Sequence, residues 1–267
     1  MKRAYTQIQF TPIKHEILSP PSNCQRMPPF NINRNQPPIR RNGSGEDAGF
    51  LVDHPARLLI TGRSTSGKST FAVGFICRRM LRQVRRCYAI CPTFYSQSTL
   101  GGLRKVQGAF QRKDVFTAPS NDAFEYIFKQ QRRFPYPALL FIDDVADSAC
   151  TNVGSKGAFA KLCIQAPHIN LTIVAIFQGL TQCSKAMRLN TEGLIAFMPD
   201  SEDEVNQIIK EFNPWGFRLG GKKLLRAKLE ETWQTERFAF FWKTKFHPLT
   251  NPLPRTRLFA GMSREIF

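Results

Sequence analysis

The sequence predicts an α/β fold: a mostly parallel central sheet with helices on both faces, preceded by a proline-rich N-terminal arm. Three observations predict it. Short apolar runs alternate with helix-period patterns from about residue 55 onward, the order expected of a parallel sheet covered on both sides. A glycine-rich loop joins the first of those runs to the first helical pattern. A later apolar run ends in two carboxylates, as a buried strand does when it delivers polar side chains to the edge of a sheet.

The elements follow in order. Residues 1–50 hold 7 of the 18 prolines, carry net positive charge and show little apolar period, so they read as a basic, largely disordered arm. Residues 57–61 (RLLIT) read as a buried strand, and 69–81 as a helix with Phe71, Phe75 and Ile76 at core spacing. Residues 86–91 form a second strand, closed by Pro92. Ser120 caps a helix whose stripe is Phe124, Ile127 and Phe128. Residues 138–142 form a third strand, 155–166 a helix, 171–177 a fourth strand and 193–197 a fifth. Ser201 and Glu204 read as a capping box opening a helix towards Phe212. Beyond Pro214 the pattern is mixed: 222–234 is ambiguous, 237–242 reads as a strand, and 248–254 as a loop. The predicted organisation is therefore an arm (1–50), a core (51–213) and a basic C-terminal extension (214–267) packing on the core or on a neighbouring subunit.

Composition bounds the function. Lys and Arg total 38 against 20 Asp and Glu, a net charge of +18 in 267 residues. That surplus must sit on the surface, where it attracts polyanions, nucleic acid first. The charges are spread over Arg78, Arg79, Arg82, Arg85, Arg86, Arg104, Lys105, Arg112, Lys113, Lys129, Arg132 and Arg133, with more beyond Lys210. Such spread suits a groove or ring lumen around a duplex, with sequence-independent and salt-sensitive binding. No apolar run approaches the ~18 residues of a membrane span. Met1-Lys-Arg-Ala-Tyr leads into no apolar stretch, so a secretory leader is not expected. The seven Cys form no CxxC pair and read as reduced thiols of a cytosolic or nuclear protein.

The most specific motif is Gly62-Arg63-Ser64-Thr65-Ser66-Gly67-Lys68-Ser69-Thr70, which fits G-x-x-x-x-G-K-[ST] between a strand and a helix. Gly62 and Gly67 allow backbone angles that let successive N–H groups wrap a phosphate. The helix N-terminus adds partial positive charge. Lys68 is expected to reach the β- and γ-phosphates of ATP, Ser69 to ligate Mg²⁺, and Thr70 to offer a backbone N–H near the α-phosphate. The run Leu139-Leu-Phe-Ile-Asp143-Asp144 supplies the second part. Asp143 is expected to hold Mg²⁺ through water, and Asp144 to polarise the attacking water. Gln178, at the tip of the 171–177 strand, is the expected sensor of the γ-phosphate or the lytic water. Arg188 is the candidate arginine finger acting on a neighbour's ATP, with Arg218 and Arg226 as rivals.

With these elements in this order, the chain resembles the genome-packaging ATPases of the FtsK/HerA superfamily, and most of all the poxvirus-type group also found in giant DNA viruses and polinton- or adintovirus-like elements. The resemblance covers about residues 55–213. It rests on 62–70, on Cys91-Pro-Thr-Phe94, on 139–144, on Pro167 to Gln178, and on Arg188-Leu-Asn190 with Ala196-Phe197. The segment Gln165-Ala-Pro departs from the Gly-Arg pair of that pattern, and the region beyond 214 has no counterpart in it. The resemblance implies a RecA-like P-loop NTPase fold and a homo-oligomeric ring, expected to be a hexamer. The ring would drive double-stranded DNA into a preformed capsid using ATP, with a capsid or vertex protein as partner. It also implies residence in the host nucleus or a cytoplasmic virus factory, and association with the virion.

Other readings are weaker. The four His (15, 54, 168, 247) stand alone, without Cys or carboxylate at zinc-ligand spacing. The aromatics at 238 and 240–242 could stack on bases, but a strand in a core or subunit interface is the favoured reading. No N-K-x-D motif supports a GTPase. A replicative helicase or other DNA-remodelling ATPase remains the alternative enzyme, and an ATP-binding vertex protein the alternative outside catalysis.

Overall fold

The computed structural model describes residues 54–77, 80–106, 109–145, 157–212, 221–235, 240–244 and 257–259. The proline-rich arm, Arg78, Arg79, Arg218 and the side chains at 238 and 240–242 lie outside them. Eight strands form one sheet: β1 (Arg57–Thr61), β2 (Arg86–Ile90), β3 (Phe110–Phe116), β4 (Ala138–Ile142), β5 (Leu171–Phe177), β6 (Gly193–Phe197), β7 (Phe240–Thr244) and β8 (Arg257–Phe259). Their order across the sheet is β3-β2-β4-β5-β1-β6-β7-β8. The strands from β3 to β6 in that order are parallel, and β7 and β8 continue the sheet antiparallel to β6.

The apolar strands alternate their side chains between two cores, as the pleat requires. Leu59 of β1 and Leu140 and Ile142 of β4 face one core; Leu58, Ile60, Leu139 and Phe141 face the other. Both faces are apolar because both are covered. On the second core lies α1 (Lys68–Phe71), which widens into a π-helical stretch over Ala72–Cys77, and α2 (Gly101–Arg104). On the first lie α3 (Asn121–Arg133), α4 (Ala158–Gln165), α5 (Lys185–Asn190), α6 (Glu202–Phe212) and α7 (Gly221–Thr235). Ser120 Oγ accepts from the Ala123 N–H at 3.1 Å, and the stripe Phe124, Ile127, Phe128 is buried. Each fully buried Phe or Ile of that stripe contributes about 2 kcal/mol.

The five strands read between 57 and 197 form as expected. Besides the π-helical stretch over Ala72–Cys77, where a regular helix over 69–81 was expected, three features differ. β3 has the burial pattern of an edge strand, with Arg112 and Lys113 exposed, so no apolar run announces it; edge charges of this kind discourage pairing with another sheet. The ambiguous 222–234 segment is helical, and Leu225, Leu229 and Trp233 recur every four residues against the first core. The capping box at 201–204 is half formed. Ser201 Oγ accepts from the Glu204 N–H at 3.3 Å, but the Glu204 carboxylate turns away to the chain after β5.

Candidate nucleotide site

The order of strands gathers the sequence motifs at one edge of the sheet. β2, β4, β5 and β1 are consecutive neighbours, and all four run the same way. Their carboxyl ends therefore deliver residues 91–97, 143–144, 178 and 62–70 to one place. The 62–70 loop leaves β1 with Gly62 at φ 143, and a Cβ there would sit 2.6 Å from the Phe197 Cβ. No L side chain fits such a position. Gly67 has φ 90 and Thr65 φ 61, so the loop curls back on itself before α1 begins. The loop is tied down by Gly62 N–H to the Gln178 carbonyl (3.3 Å) and Arg63 N–H to the Met198 carbonyl (3.0 Å).

Lys68 is buried at the base of this loop. Its ammonium donates to the carbonyls of Gly62 and Arg63, both at 2.6 Å. Burial lowers its pKa, and the nearby carboxylates of Asp143 and Asp200 oppose that. Ser69 donates its hydroxyl to Asp143 Oδ2 at 2.8 Å, so residues 74 positions apart share one site. Asp143 is buried, and burial pushes its carboxyl up to about 6; the Ser69 hydrogen bond pulls the other way. Asp144 is exposed, takes a positive φ of 57 and faces the same cavity. The cavity measures about 430 Å³ and is lined by Ser64, Thr65, Lys68, Ser69, Asp143, Asp144 and Gln178, among others.

A hydroxyl and a carboxylate in direct contact, with a second carboxylate beside them, are a hard-oxygen donor set suited to Mg²⁺. The buried Ser66 hydroxyl within the loop has no protein partner, which leaves a donor free for a phosphate oxygen. The residues present therefore fit a Mg²⁺-nucleotide. Sequence reasoning missed part of the opposite wall. Thr93, Ser96 and Gln97 line the cavity, and Thr93 Oγ1 donates to Gln97 Oε1 at 3.0 Å. No spacing rule marks them; they reach the cavity because β2 lies beside β4.

No protein-family model matches the chain, and no curated protein sequence matches it. Solved structures do. The genome packaging NTPase B204 from Sulfolobus turreted icosahedral virus 2, in complex with ATP-gammaS, superposes with a TM-score of 0.52 at 14% identity, covering 72% of this chain and 93% of that one. Its complex with AMP gives 0.55 at 12% identity over 72% and 94%. B204 from Sulfolobus turreted icosahedral virus, described as a DNA-packaging ATPase, gives 0.53 at 14% identity over 72% and 94%. The chain has the fold of a P-loop NTPase. The motif resemblance to packaging ATPases of the FtsK/HerA type is thus matched by a likeness in fold, at an identity that carries the fold alone.

The basic residues on this fold divide into two groups. Arg86 is turned to Asp114 (2.8 Å), and Arg104 donates to the carbonyls of Phe94 and Gln97, bracing the cavity wall. Lys105, Arg112, Lys113, Lys129, Arg132 and Arg133 are exposed. Arg188 is outside the set lining the cavity. Its Nε donates to both oxygens of Glu211 (3.1 and 3.0 Å) and its Nη1 to the carbonyls of Leu180 and Cys183. Within one chain it is a strut between α5, α6 and the turn after β5. Arg226 pairs with Glu202 and Glu230.

Proposed function

We propose that this chain is an ATPase that drives double-stranded DNA into a preformed viral capsid. One observation carries the reading: Lys68, Ser69, Asp143, Asp144 and Gln178 face a single cavity, with the Gln178 strand β5 seated between the phosphate-loop strand β1 and the acid strand β4. The loop N–H groups and Lys68 hold the phosphates; Lys68 exchanges two backbone carbonyls for phosphate oxygens. Ser69 and Asp143 would hold Mg²⁺, which would supply positive charge to offset the negative charge of the phosphates. Asp144, exposed and beside them, draws a proton from the attacking water. Gln178 orients that water or reads the γ-phosphate.

The polyanion follows from charge. A net +18, with the exposed cations above, favours sequence-independent grip on phosphate backbone. The reading includes a homo-oligomeric ring, a hexamer by resemblance, a capsid or vertex protein as docking partner, and a nuclear, virus-factory or virion setting. Among the described residues no helix is long and apolar enough to cross a membrane.

The test is movement on blunt duplex. With ATP, the chain should displace a third strand from a triplex while leaving the duplex paired. Separation of a forked duplex would instead favour a helicase. ATP binding with neither activity would favour a structural vertex protein.

A further inference from the structure

The chain leaving β5 makes a tight turn straight after Gln178, and a carboxylate from another element grips it. Glu204, near the start of α6, is buried. It accepts from the Leu180 N–H at 2.6 Å, from the Thr181 N–H at 3.1 Å, and from the Thr181 hydroxyl. A buried carboxylate is costly unless such donors surround it. The contact is close enough to dictate the residue at 179: a Cβ on Gly179 would lie 2.5 Å from Glu204 Oε1 and 2.8 Å from its carboxyl carbon. On its carbonyl side the same turn is held by Arg188, which reaches Leu180 and Cys183 and is itself anchored on Glu211 of α6. Gln178 therefore projects into the cavity from a turn whose N–H groups are fixed by Glu204 of α6 and whose carbonyls are fixed by Arg188 of α5, itself anchored on α6.

We propose that Glu204 is a positioning residue for Gln178: it fixes the Gly179–Thr181 turn from α6, so that the Gln178 amide is set for the hydrolytic step. It touches neither the phosphate loop nor the Mg²⁺ donors. Its loss should therefore spare nucleotide binding and slow turnover. The proposal rests on the nucleotide-hydrolysis reading above.

Glu204→Gln tests it. Gln keeps the shape but points an NH₂ at N–H donors, so the grip fails with little change in volume. Gly179→Ala is the second variant: it forces the carboxylate off the turn while leaving every other side chain in place. Both variants and the double variant are measured for kcat, KM for ATP, and Kd of a fluorescent ATP analogue with Mg²⁺. The expected result is a loss in kcat of about 10²-fold, as for one misplaced preorganised donor, with Kd changed less than about two-fold. The double variant should be no slower than the worse single one, because both disturb one contact. Folded variants with wild-type kcat would overturn the proposal, as would a Kd that weakens in step with kcat, or losses that multiply. A wild-type chain without turnover would overturn the hydrolysis reading as well. Turnover in the wild type with unaffected variants removes Glu204 alone.

Discussion

Asp143 carries the tension between stability and chemistry at the scale of a single residue. Its carboxyl rises from 3.8 to about 6 through burial, a penalty of about 3 kcal/mol on the charged form. A raised carboxyl stabilises the fold below its ordinary pKa, and that stability is lost as pH climbs through about 6. Asp143→Asn should therefore raise Tm at pH 8 without Mg²⁺, by an amount that shrinks towards pH 4, while turnover disappears. A melting series with a fixed nucleotide-free buffer checks this; an unchanged or lower Tm at pH 8 would contradict it. Lys68→Ala should abolish binding of a fluorescent ATP analogue, because the ammonium proposed to meet the phosphates is gone. The residues that carry a fixed spacing were legible in the sequence. Lys68, Ser69 and Asp143 come together because each sits at a strand end or in a loop of prescribed length. Thr93 and Gln97 were not, since no spacing rule marks them and only the adjacency of β2 to β4 brings them to the cavity.

At the scale of elements, the readable parts were those buried on both faces. β1, β4, β5 and β6 are near-continuous apolar runs, and their boundaries follow. β3 is half exposed and charged, so tertiary pairing with β2 makes it a strand rather than local pattern. The widening of α1 into a π-helical stretch over Ala72–Cys77 leaves no mark on a 3.6-residue period. The start of β1 offers an element-scale test. His54 Nδ1 meets Thr172 Oγ1 at 2.7 Å, and its Nε2 meets Asn170 Oδ1 at 2.8 Å. The Asn170 amide NH₂ is committed to the Pro135 carbonyl, so its Oδ1 accepts from a protonated Nε2; in the neutral imidazole, which burial favours, Nδ1 then accepts from the Thr172 hydroxyl. Burial lowers the His54 pKa below 6.5, against the smaller effect of Asn170. A depressed imidazole contributes stability above its ordinary pKa and loses it as pH falls. His54→Gln should therefore flatten the decline of Tm between pH 7.5 and 5.5 (about one unit either side of 6.5). Parallel profiles would contradict the assignment.

At the scale of the whole molecule, the sheet is one continuous body from β3 to β8, and the candidate nucleotide cavity occupies its carboxyl edge. The antiparallel end formed by β7 and β8 joins part of the extension beyond 214 to β6, through a strand at Phe240–Thr244 that overlaps the one expected over 237–242. Arg188 links this scale to the residue scale. Its pairing with Glu211 makes Arg188→Ala cost about 2 kcal/mol of stability, visible as a lower Tm. A finger role in a ring would require the guanidinium to exchange Glu211 for a neighbour's phosphate. Mixing Arg188→Ala with wild type should then depress turnover more steeply than dilution; a proportional loss would leave Arg188 a strut within its own chain.

The central claim is that the cavity at the sheet edge burns ATP to work on duplex DNA. ATP turnover by the full chain, with and without long blunt DNA, tests it most directly. The rate should rise several-fold with DNA, and the stimulation should fade between about 50 and 200 mM salt as counterions reclaim the phosphates. A rate indifferent to DNA at every salt concentration would contradict it.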